Sequence, residues 1–338
     1  MSSVTKSRRP RGLFTGGLLA AGLGAIIVSW ASPWPAVLIM RRLFERQADE
    51  TAREMAPYVP KGGVAARLNV QYGDRGNETT LDVFAPLVSR DTLPAVVWIH
   101  GGGWISGTRK HVGPYARIIA WHGYVAVALN YTTAPEATYP TALRQLNSAL
   151  AFLVRRASEY GIDPDRIILA GDSAGAQLAS QLANLVTNEK FAKRMSITPA
   201  LTPAQLRGVV LNCGIYDVSG IPKIVGVNGW GFRIALWAYL DKKDWSHTSG
   251  GVQMCSINYA TAAFPPTWIS GGNGDALTAV QSKPLAARLT SLGVPVTSVF
   301  YRDRHVPRMP HEYQFHLRFK EARAALASTL DFLGHVTG

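Results

Sequence analysis

The chain has 338 residues, 47% of them hydrophobic, and a formal net charge of +13. This length and apolar content are sufficient for one large folded domain, and they exclude a chain that is disordered throughout. The basic residues form no long run beyond the N-terminus and do not alternate with aromatic residues. The charge therefore favours solubility or attraction to an anionic membrane, and we expect no nucleic-acid partner.

The N-terminal region contains an uncharged, apolar segment. Residues 13–30 are long enough to cross a bilayer as a helix, and four basic residues within 6–11 precede them. We predict a membrane anchor within residues 1–45 and a catalytic domain over residues 46–338. The short basic N-terminus mildly favours the cytoplasm for itself, which would leave the catalytic domain outside it. A cleaved signal peptide is the alternative, and the catalytic domain would then be secreted.

Beyond the N-terminal region, short apolar runs alternate with helical segments. Residues 67–72 and 79–84 flank a turn-rich stretch and predict a hairpin at a sheet edge. Further strands are predicted at residues 95–99, 124–129, 166–170, 208–212, 267–270 and 296–301. Helices are predicted at residues 114–122, 141–160, 174–187, 280–292 and 312–333. This alternation predicts a mostly parallel sheet with helices on both faces.

Residues 219–263 interrupt the alternation and carry several aromatic residues at helical spacing. We predict a small insertion over the carboxyl edge of the sheet. Trp230, Phe232 and Trp237, together with Trp104, have two open interpretations. They line an apolar substrate pocket, or they pack the insertion against the sheet.

A Gly-x-Ser-x-Gly motif at residues 171–175 joins a predicted strand to a predicted helix. Such a turn strains the serine backbone and tolerates only small neighbours, and the helix N-terminus directs its partial positive charge at the serine hydroxyl. We predict Ser173 as a nucleophile. The alternative is a serine that merely caps the helix.

A glycine run follows another predicted strand, because residues 100–104 are His-Gly-Gly-Gly-Trp. Without side chains in the way, the backbone N–H groups of Gly102 and Gly103 can turn inward. With that of Ala174, they are predicted to form an oxyanion hole. We expect His100 to organise this loop and not to act as the base. No Gly-Lys-Ser/Thr sequence follows, which disfavours a phosphate-binding loop.

An acid and a base are expected farther along the chain. Asp275 follows the predicted strand at residues 267–270 and is the only acidic residue within 245–302, which indicates the orienting carboxylate. The same residue is also placed to cap the next helix. For the base, His305 is closest to the last strand and His311 stands at the start of the last predicted helix. We favour His311, but spacing alone leaves both open.

The two cysteines, Cys213 and Cys255, form no C-x-x-C motif. This spacing favours two buried thiols over a disulfide and gives no metal site.

The motifs HGGGW, GDSAG and GNGD and a late histidine, in this order, resemble the α/β-hydrolase superfamily and in particular its hormone-sensitive-lipase-like esterases. The resemblance covers about residues 63–338. The chain departs from that group where Thr132 and Thr133 replace an arginine and a leucine, and where Ala176 replaces a glycine. It departs again at Glu312, because the group usually has His-Gly-Phe where this chain has His311, Glu312 and Tyr313.

The resemblance implies an α/β-hydrolase fold with a small cap and a triad of Ser173, Asp275 and His311. The implied activity is carboxylester hydrolysis through an acyl-enzyme, without metal or organic cofactor, and the aromatic residues favour small-to-medium acyl esters. Two alternatives stand: an amidase or formamidase with the same triad, and a non-catalytic, membrane-tethered binding protein.

Overall fold

The computed structural model describes residues 31–88, 91–223 and 226–338. Within these ranges eight strands form one sheet, in the spatial order 1-2-4-3-5-6-7-8. The strands are β1 (Val64–Gln71), β2 (Thr80–Pro86), β3 (Leu93–Ile99), β4 (Val125–Leu129), β5 (Ile162–Asp172), β6 (Leu206–Asn212), β7 (Thr267–Gly271) and β8 (Val296–Phe300).

Strand directions confirm the predicted mostly parallel sheet. β1 pairs antiparallel with β2, and β2 pairs antiparallel with β4, so the predicted hairpin lies at an edge. The remaining neighbours, from β4 through β8, pair in parallel. Parallel strands bring their carboxyl ends to one edge of the sheet, where the segments that follow β3, β5 and β7 meet.

Helices cover both faces of the sheet, as predicted. They are α1 (Trp34–Met55), α2 (Arg109–Trp121), α3 (Thr141–Arg155), α4 (Ala174–Thr187), α5 (Glu189–Met195), α6 (Gly226–Leu240), α7 (Ser249–Met254), α8 (Lys283–Ser291) and α9 (Lys320–Thr337). Alternate side chains of β3 enter opposite cores. Val97 joins the cluster that holds Leu146 of α3, and Val96 joins the cluster that holds Leu333 of α9.

The interruption between β6 and β7 contains α6 and α7, at the place predicted for the insertion. The Tyr239 carbonyl at the end of α6 accepts a hydrogen bond from the Tyr139 N–H at 2.7 Å. The Met254 carbonyl accepts one from Gln177 of α4 at 3.1 Å. These bonds fix the insertion to the segment before α3 and to α4, the helix that directly follows Ser173.

The last helix begins later than predicted. The expected start at residue 312 is wrong, because Glu312 adopts a left-handed conformation with φ of 56° and α9 starts at Lys320. Buried contacts draw this segment away from a helical path: Gln314 donates to Ser270 Oγ at 2.6 Å, and Tyr313 bonds the same oxygen at 2.9 Å. His311 therefore lies in a loop.

Helix α1 was not predicted, because its mixed charges resemble those of a connecting segment. It packs against α2 and α6 and buries Val37, Met40 and Met55. Arg41 bonds both carboxylate oxygens of Glu136 at 2.6 Å. It also donates to the carbonyl oxygens of Ile105 at 2.7 Å and Ala134 at 2.8 Å. α1 is thereby tied to the segments that follow β3 and β4.

Among the helices that the structure describes, none combines the length and apolar character needed to cross a bilayer. The predicted anchor at residues 13–30 lies outside the described residues. α1 runs across residue 45, and the division of the chain at that position stays a prediction.

We expect Arg41→Ala to lower the free energy of unfolding by about 1–2 kcal/mol, because the carbonyls of two buried residues and one carboxylate lose their donor. Thermal and denaturant unfolding would measure the change. The matched control is Arg46→Ala in the same helix, whose side chain is 81% exposed and pairs with Glu50. That variant should change stability by less than about 0.5 kcal/mol. Equal effects of the two substitutions would contradict a stabilising role for the Arg41 hydrogen bonds.

Candidate active site

Ser173 lies on a strained turn between β5 and α4, in the strand–turn–helix context that the motif requires. Its φ is 50° and its ψ is −117°, a conformation that non-glycine residues rarely adopt. A Cβ on Gly175 would collide with the carbonyl oxygen of Ile99, and one on Gly171 would lie 2.5 Å from the Gly175 carbonyl. Glycine at both positions therefore allows the turn to approach β3 and present the Ser173 hydroxyl at the carboxyl edge of the sheet.

The structure brings Ser173, His311 and Asp275 into one hydrogen-bonded line. His311 Nε2 lies 3.0 Å from Ser173 Oγ, and His311 Nδ1 lies 2.9 Å from Asp275 Oδ2. The other Asp275 oxygen accepts the Leu277 N–H at 2.9 Å. With the Asp275 carboxylate ionised, Nδ1 carries the proton and Nε2 is free to accept the serine proton.

His305, the other candidate for the base, faces a different partner. Its Nε2 lies 3.0 Å from Glu321 Oε1 at the start of α9. Its ring packs on Tyr301, with centroids 4.6 Å apart. The structure thus directs His305 toward a carboxylate of the last helix, and it places His311 at the serine.

The electrostatics of the line favour a charged histidine. Burial acts to lower the pKa of His311, but the carboxylates of Asp275, Glu312 and Asp172 outweigh it and raise the pKa to about 9. Burial likewise acts to raise the pKa of Asp275, and the His311 imidazolium together with hydrogen bonds holds it below its usual value. An imidazolium is therefore stable between these carboxylates.

Cys213, Asp275 and His311 bring three potential metal-ligating atoms within 4.8 Å of one another. Asp275 and His311 already bond each other. Cys213 is a buried free thiol, and burial together with the nearby Asp275 raises its pKa well above the usual value. A neutral thiol is a poor metal ligand. The donor set therefore suits proton transfer better than metal binding. Cys255 is also buried and free.

The glycine loop after β3 turns with positive φ at Gly102 (103°), Gly103 (62°) and Trp104 (61°). The Gly101 N–H donates to Asp172 Oδ2 at 2.7 Å. No acceptor within the described ranges bonds the N–H of Gly102 or Gly103. Ala174 is the first residue of α4, where backbone N–H groups lack helical partners. All three predicted oxyanion donors thus lie on the two segments that flank Ser173.

His100 is a buried part of this loop. Its Nδ1 lies 2.8 Å from the Gly101 carbonyl oxygen, and its ring stacks on Tyr131 at 4.4 Å. Burial lowers its pKa to about 3. A neutral, enclosed ring with these contacts matches the expectation that His100 organises the loop.

The four aromatic candidates for a substrate pocket have different environments. Trp104 is wholly buried, stacks on Tyr239 of α6 at 5.5 Å and donates to Gln177 at 3.1 Å. Phe232 and Trp237 are partly buried and pack against the same core. Trp230 is 46% exposed. Trp104 thus contacts both α4 and the insertion. The pocket role of Trp104, Trp230 and Trp237 stays a prediction.

Two acidic residues beside the triad had no role in the sequence analysis. Asp172 accepts hydrogen bonds from Trp98 Nε1 and the Gly101 N–H, both at 2.7 Å. Glu312 Oε1 lies 3.7 Å from His311 Nε2. One feature of the sequence distinguished Glu312, because the resembled group has glycine at that position.

Comparison with known proteins gives a consistent relationship. The BD-FAE family model matches residues 81–289. LipQ, an esterase of Mycobacterium tuberculosis, is 26% identical over 296 residues, which cover 83% of this chain and 66% of LipQ. The carboxylesterase NlhH of the same organism is 41% identical over 104 residues, which cover 30% of this chain and 33% of NlhH. The chain thus spans less than two thirds of the length of these relatives.

Among solved structures, esterase B from Lactobacillus rhamnosis superposes with a TM-score of 0.72 at 22% identity. The superposition covers 90% of this chain and 96% of that chain. This likeness confirms the predicted α/β-hydrolase fold. Because the family model spans more than half of the residues, the chain belongs to the BD-FAE family of α/β-hydrolases.

Proposed function

We propose that this protein is a serine carboxylester hydrolase. The observation that carries the proposal is the line of Ser173, His311 and Asp275, with contacts of 3.0 and 2.9 Å. Family membership and relatives that are named esterases support the same reaction. The intact line also argues against a non-catalytic binding protein.

The reaction proceeds by acyl transfer in two halves. His311 takes the Ser173 proton as Oγ attacks the ester carbonyl carbon, and the carbonyl π electrons move to the oxygen. The N–H groups of Gly102, Gly103 and Ala174 stabilise this oxyanion. The C–O bond to the alcohol then breaks, and His311 returns the proton to the departing oxygen. Water repeats the sequence on the acyl-enzyme, releases the acid and restores Ser173.

The full chain in detergent should hydrolyse p-nitrophenyl esters, with the highest kcat/KM for small-to-medium acyl chains. A fluorophosphonate should label it once, and mass spectrometry should place the label on the peptide that contains Ser173. Matched amides and formamides serve as competing substrates. Faster hydrolysis of these compounds would favour the amidase alternative. Absence of both turnover and labelling would refute a serine hydrolase.

The pH dependence should reflect the raised pKa of His311. Only the neutral imidazole accepts the serine proton, so kcat/KM should rise with pH and level off once His311 is deprotonated. The pKa of about 9 predicts the midpoint of that rise near pH 9. A pH series of kcat/KM with one soluble ester, at constant ionic strength, measures it. A midpoint below about pH 7, near the ordinary histidine pKa, would contradict the predicted environment.

We also propose that residues 13–30 anchor the protein in a membrane and that the first part of α1 lies on the bilayer surface. Exposed apolar side chains support this placement: Trp34 (43%), Leu38 (48%), Ile39 (64%) and Leu43 (63%). Arg42 and Arg46 are exposed on the same helix, as suits a helix at an anionic interface. The Phe44 ring lies 3.6 Å from where a Cβ on Gly103 would stand, so this surface adjoins the oxyanion loop.

This membrane proposal has its own test, which compares an ester dissolved in anionic vesicles with a water-soluble ester. Combined Leu38→Ser, Ile39→Ser and Leu43→Ser substitutions in the full chain should slow hydrolysis of the vesicle ester several-fold and leave the soluble ester unchanged. Val306→Ser is the matched control, because Val306 is 80% exposed near β8. If the triple variant changed the hydrolysis rates of both esters equally, the result would argue against a bilayer contact. Dissociation of an oligomer in the triple variant would argue against it as well.

A further inference from the structure

We propose that Glu312 is a second carboxylate partner of His311, a positioning residue that faces Nε2 and moves ester hydrolysis to alkaline pH. The inference rests on the proposed function, which supplies the proton transfer that Glu312 would influence. It adds a residue to the triad and assigns that residue an effect that can be measured separately from catalysis as such.

The backbone at Glu312 is the first observation. Its φ of 56° lies in the left-handed region, where a glycine would be unstrained and a glutamate costs about 1 kcal/mol. The resembled group has glycine after the same histidine. Strain at this position is offset only where the side chain makes an interaction that glycine lacks, so the side-chain contacts of Glu312 need an explanation.

The position of the carboxylate is the second observation. Glu312 Oε1 lies 3.7 Å from His311 Nε2, and its side chain is 30% exposed. Asp275 Oδ2 lies 2.9 Å from Nδ1 on the other side of the ring. The imidazole is therefore held between two carboxylates. Asp275 orients the ring, and Glu312 faces the nitrogen that exchanges the proton with Ser173.

The acidic neighbour of Glu312 is Asp172, and the two residues differ in exposure. The carboxylates of Asp172 and Glu312 both lie beside Gly101. A Cβ added to Gly101 would collide with Asp172 Oδ2 and would lie 2.9 Å from Glu312 Oε1. Burial, and then the nearby Glu312, raise the pKa of Asp172 well above its usual value. Of the two acids, Asp172 is buried and therefore binds its proton more tightly than usual, whereas the Glu312 side chain is 30% exposed.

Other titratable groups also face Glu312. His111 of α2 and His316, in the loop before α9, both interact electrostatically with it. The Cys213 sulfur accepts its backbone N–H at 3.3 Å. Burial is the largest influence on both histidines and lowers the pKa of each. They are thus mainly neutral near pH 7 and leave the Glu312 charge directed at His311.

Glu312 raises the proton affinity of His311, and this has two opposite effects on the rate of ester hydrolysis. Glu312 stabilises the imidazolium that forms as Ser173 attacks, which favours the transition state. The same charge keeps His311 protonated in the resting enzyme at neutral pH, where it cannot act as a base. Removing the charge should therefore help at neutral pH and harm at alkaline pH.

The test measures kcat/KM against pH for the full chain and for Glu312→Gln. The variant should shift the midpoint of the rise downward by about 1 pH unit, from the Coulomb interaction at this distance in a water-like dielectric. It should be faster than the parent below about pH 8 and about threefold slower on the alkaline plateau, because a weaker base transfers the proton less readily. The two pH profiles should cross.

Two further variants separate charge from structure. Glu312→Gly removes both the charge and the strained φ, so it should show the same shift with a higher melting temperature. Glu321→Gln is the matched control, since Glu321 faces His305 at 3.0 Å away from Ser173, and its profile should match the parent. A uniform loss of rate in Glu312→Gln without a shift would overturn the proposal.

A readout independent of turnover keeps this inference separate from the proposed function. The titration of the His311 ring, followed by NMR with labelled histidine, should move to lower pH in Glu312→Gln. An unchanged titration would refute the inference even in an active enzyme. If the parent hydrolyses no ester, the proposed function fails, while the NMR shift still decides whether Glu312 holds the proton on His311.

Discussion

His311→Ala should lower the hydrolysis rate of a p-nitrophenyl ester by about six orders of magnitude, a loss typical of removing the triad histidine. The reason is geometric, because His311 Nε2 lies 3.0 Å from Ser173 Oγ. Without that nitrogen the hydroxyl keeps its proton and stays a weak nucleophile. Steady-state kinetics and the rate of fluorophosphonate labelling should fall together, because both depend on the same activated oxygen.

His305→Ala provides the matched control in the same loop. It removes the contact with Glu321, so the variant should lose some stability but keep kcat/KM within about threefold of the parent, since no group at the reacting serine changes. Circular dichroism and thermal unfolding would show that both variants are folded. If His305→Ala alone abolished turnover, the assignment of the base to His311 would be wrong.

The sequence could predict those parts of the molecule that depend on local pattern. Helix α4 begins and ends where its apolar residues indicate, because it directly follows the Gly-x-Ser-x-Gly turn and is buried along its length. β3 appears as a continuous apolar run because both of its faces are covered. The glycines at 171 and 175 likewise predict the strained turn at Ser173, because a Cβ at either position would collide with backbone atoms.

The sequence could not predict features that depend on contacts between distant segments. The segment before α9 leaves a helical path because Gln314 and Tyr313 bond Ser270 of β7. α1 is fastened by Arg41 to Glu136, which lies far along the chain. The sequence likewise could not separate His305 from His311, because the contact that occupies His305 comes from α9. Spacing along the chain carries none of this information.

Asp275→Asn should lower kcat/KM by about four orders of magnitude, through the tautomer and charge of His311. The carboxylate accepts the Nδ1 proton at 2.9 Å. An amide in its place donates a hydrogen bond to Nδ1, which shifts the ring proton to Nε2. An Nε2 that already carries a proton cannot take one from Ser173. The imidazolium formed in the transition state also loses its nearest counter-charge.

Asp303→Asn is the control, because Asp303 is an exposed acid in the loop after β8. It should leave kcat/KM within about twofold, as expected of a surface charge outside the site. A loss below about tenfold in Asp275→Asn would contradict the role of this carboxylate in holding the proton on Nδ1. The double variant Asp275→Asn with Glu312→Gln would then show whether the remaining rate depends on the carboxylate 3.7 Å from Nε2, which stabilises the imidazolium without orienting Nδ1.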